Sequence, residues 1–298
     1  MSKFIFTVIK KNIFHSPPLY IRFLKIIAVI KLICMHKNIN ATFLVIMFLA
    51  LPFLSKAQLS KPNYERGMYT AKGDTLPYRI LFPEGFDPAK KYPLIIVLHG
   101  SGERGNDNQA QLAHGSDLFL KADVREQFPA IVVFPQCPAN GFWSDVSFKA
   151  DTNGNKFIFP TDAKPTKAMT ALMGMVDEFL EKPFVNKHQV YVGGLSMGGM
   201  GTFEIIGREP NIFAAAFSIC GGDNTLNAKK YAKKVPLWIF HGEKDKTVSA
   251  DHSIVMVEAI KAAGGQPKFT LYPNDDHDSW DDAFAEPQLL PWLFSHSK

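Results

Sequence analysis

Cysteine is scarce in this chain. Only three occur in 298 residues, and beyond residue 57 only Cys137 and Cys220 remain. Two thiols cannot build a disulfide framework, and a folded domain of this length does not need one. They can pair only if the fold brings them close. No long low-complexity tract occurs, which excludes a fibrous or wholly disordered chain. There is no G-x-x-x-x-G-K-[ST] loop and no His/Cys cluster at metal-ligand spacing, so neither a phosphate cradle nor a metal site is expected. Asp151-Thr152-Asn153-Gly154-Asn155 is rich in Asp and Asn, but Lys156 stands where a calcium loop places glycine. A turn is the better reading, because Asn-Gly favours hairpins.

Acidic side chains are absent from residues 1–57, which hold eight basic groups. Taking these from the total of 33 leaves 25 basic against 28 acidic residues in 58–298, a balance of −3. The formal +5 of the whole chain therefore implies no basic surface for nucleic acid. From Met35 this leader reads as a secretory signal peptide: His36 and Lys37, the apolar run Ala41–Leu54, then Ser55-Lys56-Ala57 before Gln58. A run of 14 residues is short for a membrane span, so no stable span is expected after cleavage; an uncleaved anchor is the alternative. Residues 1–34 are interrupted by Pro17-Pro18, Arg22, Lys25 and Lys31 and suit neither a span nor a core. We expect the true start at Met35 and a secreted or periplasmic product.

Strand and helix signals alternate through residues 58–298. Tyr92–Leu98, Ala130–Phe134 and Gln189–Val192 are continuous apolar runs, the pattern of strands buried on both faces. Tyr64–Tyr69, Thr75–Phe82, Phe213–Ile219, Val235–Phe240 and Lys268–Tyr272 complete the strand set. Helical spacing falls over about Asn108–Lys121, Thr166–Leu180, Met197–Gly207, Ser249–Ala263 and Gln288–Phe294, with Ser249 as a cap and Gly264-Gly265 as a stop. The expected fold is one α/β domain, a mostly parallel central sheet with helices on both faces. A hairpin-like excursion at about 139–165 interrupts the alternation. In such sheets chemistry gathers beyond the carboxyl ends of the strands.

Tyr191–Gly201 reads as a buried strand running straight into a helix, with Ser196 at the bend. Gly194, Ser196 and Gly198 form G-x-S-x-G, the nucleophile-elbow pattern, in which a Cβ at the flanking positions would clash. A dinucleotide loop is discounted, because the acid expected downstream is missing. A serine hydroxyl needs a base, and the base an orienting acid. Of nine histidines, His99, His241 and His277 follow strands. His99-Gly100 and His241-Gly242 end buried runs, where the ring is expected to shape the turn. His277, in the loop after the last strand, is the candidate base. Asp245 follows the Val235–Phe240 strand and is the candidate acid; Asp275 and Asp276 are alternatives, but they adjoin His277 in sequence, where reaching the correct ring nitrogen is difficult. The oxyanion donors are expected from the N–H groups of Met197 and Ser101. Glu103 and Arg104 either bind a charged substrate group or brace the loop as an ion pair. Trp143 is a candidate substrate-binding wall or a core filler.

Leu94–Asn108, Pro135-Gln136-Cys137-Pro138, Gly194–Gly199, Cys220-Gly221-Gly222, His241–Asp245 and His277–Trp280 together resemble bacterial secreted α/β-hydrolases. These are grouped as phospholipase/carboxylesterase-like, dienelactone-hydrolase-like or prolyl-oligopeptidase-like, and are similar to feruloyl and acetyl-xylan esterases. The resemblance covers about residues 63–295 and matches Ser196, Asp245 and His277 to the catalytic triad. It implies a cofactor-free serine hydrolase that cleaves small-molecule or polysaccharide-linked carboxylic esters through an acyl-enzyme. Asn186-Lys187, where the family often has aspartate, and the long 139–165 segment depart from it. About 35 residues separate Gln58 from the third strand, too few for the propeller of a true prolyl oligopeptidase. A peptidase acting on short peptides and a non-catalytic binding protein remain the alternatives.

Overall fold

The computed structural model describes residues 63–71, 74–151 and 154–298. The leader assigned to residues 1–57 lies outside the described residues. Among the described residues ten strands are formed: β1 (Glu65–Ala71), β2 (Asp74–Leu81), β3 (Tyr92–Leu98), β4 (Ile131–Pro135), β5 (Ser147–Asp151), β6 (Gly154–Ile158), β7 (Val185–Leu195), β8 (Ala215–Ile219), β9 (Leu237–Gly242) and β10 (Lys268–Tyr272). Eight of them make one sheet in the order β1-β2-β4-β3-β7-β8-β9-β10. The β1–β2 and β2–β4 pairings are antiparallel, and every pairing from β4 through β10 is parallel. The helices are α1 (Ala122–Gln127), α2 (Lys167–Leu180), α3 (Met197–Arg208), α4 (Ala228–Tyr231), α5 (Asp251–Ala262), α6 (Trp280–Ala285) and α7 (Leu289–Phe294).

The continuous apolar runs are explained by burial on both faces of the sheet. In β3, Leu94, Ile96 and Leu98 join Leu172 and Val176 of α2, Phe203 of α3 and Met256 of α5 in one core. Ile95 and Val97, pointing the other way, join Phe284 of α6 and Leu289 and Leu293 of α7 in a second. Thr166 caps α2, its Oγ1 accepting the Met169 N–H at 3.0 Å. At the far end of α5, Gly264 adopts a φ of +84° and the Gly265 N–H closes on Ile260 O at 2.9 Å.

Two expectations are corrected. Asn108–Lys121 is not a helix: it contains two short 3₁₀ turns, Ala110–Leu112 and Leu118–Leu120. Between them Gly115 takes a φ of +74° and packs so tightly on the Phe284 ring that a Cβ there would collide with it. Ser249 does not hold the cap position of α5, which Ala250 occupies, although its Oγ accepts the Asp251 N–H at 3.3 Å. β5 and β6 pair antiparallel, as the Asn-Gly signal suggests, while the joining residues 152–153 lie outside the described residues. Phe157 of this hairpin packs with Met200 and Val248, and its ring meets His252 edge-on at 5.8 Å. Cys137 and Cys220 are buried and unpaired. Among the described residues no helix is long and apolar enough to cross a membrane.

Candidate active site

β7 enters α3 through Ser196, whose φ of 52° and ψ of −116° are strained for a residue with a side chain. Two bonds pin the bend: Ser196 N–H to Ile219 O at 2.9 Å and Met200 N–H to Ser196 O at 3.0 Å. The glycines are steric requirements. A Cβ on Gly194 would lie 2.6 Å from Leu98 O, and one on Gly198 would press into that same carbonyl. The bend can therefore form only with bare backbone on both sides of the serine.

Asp245 and His277 come from the loops after β9 and β10. These loops are stitched together by Glu243 N–H to Tyr272 O and Lys244 N–H to Asp275 O, both 2.9 Å. Asp276 Oδ1 accepts the N–H groups of Lys246 and His277, so this carboxylate braces the loop. His277 Nε2 then sits 3.0 Å from Ser196 Oγ and His277 Nδ1 2.7 Å from Asp245 Oδ2. Asp245 Oδ1 accepts from Thr247 and Val248 N–H, each at 2.8 Å. Burial alone would push this carboxyl up. The His241 and His277 hydrogen bonds and the Val248 N–H outweigh it and hold Asp245 well below the ordinary carboxylate range. A hydroxyl, an imidazole and an ionised carboxylate in this sequence can pass a proton and support the resulting imidazolium.

The phospholipase/carboxylesterase family matches residues 87–288. The chain belongs to that family. A thermostable esterase of known structure superposes with a TM-score of 0.70 at 30% identity, covering 80% of this chain and 64% of that one. A bifunctional acetylxylan esterase/xylanase of Neocallimastix patriciarum is 28% identical over 148 residues, 47% of this chain and 21% of that protein. Dipeptidyl-peptidase 5 of Porphyromonas gingivalis is 21% identical over 252 residues, 72% of this chain and 34% of its own length. The chain thus spans a fifth to a third of these two relatives. It has the α/β-hydrolase fold.

The remaining candidates of this family member fall differently. Gly100 lies against the nucleophile turn, where a Cβ on it would be 3.7 Å from Ser196 Cβ, so the neighbouring Ser101 borders the site. Met197 is the first residue of α3. His99 holds the Ser101 turn: Nε2 accepts the Cys137 N–H at 2.9 Å, which leaves Nδ1–H to donate to Gly100 O at 2.6 Å. Burial pushes its pKa down to about 4, keeping the ring neutral. Gln136 clasps the same loop, accepting from Asn108 N–H and donating to Asp107 Oδ1, both at 2.7 Å.

Trp143 is not a pocket wall. It is fully buried, and its indole N–H donates to His99 O at 3.1 Å, so it underpins the Ser101 turn from the core side. The expected Glu103–Arg104 ion pair is also absent. Glu103 lies 3.7 Å from His114 Nε2, while Arg104 donates to Ser101 O at 2.9 Å and Gly141 O at 3.2 Å. The aromatic residue beside the site is Trp280, edge-on to His277 with ring centroids 5.2 Å apart. Its place three residues after His277 was the available signal. Cys220, Asp245 and His277 bring potential metal ligands within 4.8 Å of one another. Burial raises the Cys220 thiol pKa, however, and His277 and Asp245 are engaged with each other, so a proton relay fits this grouping better than a cation.

Proposed function

We propose that this chain hydrolyses carboxylic esters through an acyl-enzyme, with Ser196 as nucleophile, His277 as base and Asp245 as orienting acid. The carrying observation is the unbroken contact from Ser196 Oγ through the His277 ring to Asp245 Oδ2. His277 Nε2 takes the hydroxyl proton as Oγ attacks the ester carbonyl. The N–H groups of Met197 and Ser101 receive the negative oxygen of the tetrahedral intermediate. The imidazolium then gives its proton to the departing alcohol, and a water activated by the same ring releases the acid. Asp245 keeps the hydrogen on Nδ1, leaving Nε2 free to accept.

Small-molecule or polysaccharide-linked esters are the proposed substrates, with the acetylxylan esterase relative in support. Secretion or a periplasmic location, inferred from residues 35–57, belongs to the same proposal. The second reading is a peptidase on short peptides, favoured by the match to dipeptidyl-peptidase 5. Comparing turnover of matched ester and amide substrates separates the two. Ser196→Ala is expected to abolish p-nitrophenyl acetate hydrolysis and fluorophosphonate labelling while leaving the melting temperature nearly unchanged. Undiminished turnover in that variant would refute the proposal.

A further inference from the structure

His241 lies near the end of β9, fully buried beside the acid of the triad. Its Nε2 is 2.8 Å from Val248 O and 3.2 Å from Asp245 Oδ2, and its Nδ1 is 2.7 Å from Ser253 Oγ. A backbone carbonyl and an ionised carboxylate can only accept. Nε2 must therefore carry a hydrogen whatever the charge on the ring. What stays adjustable is the Ser253 hydroxyl, which also lies 3.1 Å from Gly221 O. Aimed at Nδ1, the Ser253 hydroxyl donates to the ring; turned toward Gly221 O, it accepts from the ring.

We infer that His241 is a positioning residue of the proposed hydrolysis: its Nε2–H, bonded to Val248 O, lies 3.2 Å from Asp245 Oδ2 and holds that oxygen electrostatically in line with His277 Nδ1. The inference rests on the reading of Ser196, His277 and Asp245 given above. Asp245 accepts three hydrogen bonds, from Thr247 and Val248 N–H on Oδ1 and from His277 on Oδ2, and His241 Nε2 adds a buried contact to Oδ2 at 3.2 Å. Such an oxygen has no freedom to rotate away from His277 without abandoning a partner in a buried site, where the loss is heavy. Removing His241 leaves Oδ2 held by His277 alone. Oδ1 stays held by the Thr247 and Val248 N–H groups, so the carboxylate keeps its place but turns more freely about that edge.

The same ring also braces the 242–248 loop through Val248 O, so the test must separate support of the loop from support of the carboxylate. His241→Leu removes both nitrogens at similar volume, whereas His241→Gln can return an N–H to the Nε2 position. A 3.2 Å contact from an N–H bonded elsewhere is a weak electrostatic hold. We expect H241L to lower kcat for p-nitrophenyl acetate about tenfold with KM within about twofold, and H241Q to recover to within about threefold of wild type. Long-range proton–nitrogen NMR of histidine-labelled wild-type protein should find hydrogen on His241 Nε2. Three results would overturn the inference: H241L with unchanged kcat and only a lower unfolding midpoint, H241Q as slow as H241L, or a bare Nε2. Should H241L not fold, H241Q and the NMR measurement still decide. Should the wild type turn over no ester, the proposed function fails, and with it the positioning role, while the NMR result reports the hydrogen on Nε2 independently.

Discussion

Asp245→Asn is the sharpest test of how the site works, because it changes one atom and almost no volume. The amide has one acceptor where the carboxylate has two. If its oxygen keeps the Thr247 and Val248 N–H groups, its NH₂ faces the Nδ1–H of His277 and the Nε2–H of His241. If it is turned round, NH₂ faces the two backbone N–H groups instead. Donor meets donor either way. The first arrangement costs less, since the His277 ring can change tautomer and let Nδ1 accept. The hydrogen then moves to Nε2, 3.0 Å from Ser196 Oγ, where a lone pair is required. We expect kcat to fall by about 10⁴, equivalent to about 5.5 kcal/mol, with KM little changed. Initial rates on p-nitrophenyl acetate, normalised to folded protein, give the measurement. A loss below tenfold, or one confined to KM, would mean that Asp245 does not set the tautomer. Stability supplies a second check. Because the folded Asp245 carboxyl ionises at lower pH than the unfolded one, its contribution is present above the unfolded value of about 4 and is lost as pH falls below it. The stability difference between wild type and D245N should therefore be constant near neutrality and narrow only in acid.

Three further outcomes follow from the geometry. Gly198→Ala drives a Cβ into Leu98 O and should lower unfolding stability by about 1–3 kcal/mol in urea titration as well as reducing kcat; an unperturbed variant would show that the bend has slack. Trp143→Phe removes the N–H that satisfies His99 O, so a stability loss of about 1–3 kcal/mol is expected, with acyl-chain preference unaltered; altered preference without destabilisation would restore Trp143 as a pocket wall. Burial raises Asp223 to about 6, so its neutral form is favoured in the fold, and the associated stability is present below about 4 and lost as pH rises through 6. Asp223→Asn should therefore stabilise the protein above pH 7, by about 1–3 kcal/mol, and lose that advantage in acid; equal shifts at both pH values would remove the explanation.

The contrast between two histidines marks how far the sequence could be read. Strand positions were legible because burial on both sheet faces demands unbroken apolar runs such as Leu94–Leu98. The order of Ser196, Asp245 and His277 was legible because each follows its own strand. His99-Gly100 and His241-Gly242 are the same dipeptide at the ends of two buried strands, β3 and β9, and local pattern gives them one reading. Their partners do not. His99 Nε2 meets an N–H from Cys137 and must be bare, so the ring serves as a clamp on the Ser101 turn. His241 Nε2 meets the Val248 carbonyl and must carry hydrogen, which it also presents to Asp245 Oδ2 at 3.2 Å. Donor or acceptor character of each ring nitrogen is set by the atom it meets, the Cys137 N–H for His99 and the Val248 carbonyl for His241. Asp276 follows the same rule, since closeness to His277 in sequence gives its carboxylate the His277 backbone N–H and withholds the ring. Spacing along the chain can therefore nominate a side chain for the carboxyl edge of the sheet, but the role it takes there depends on the polar atom that meets it.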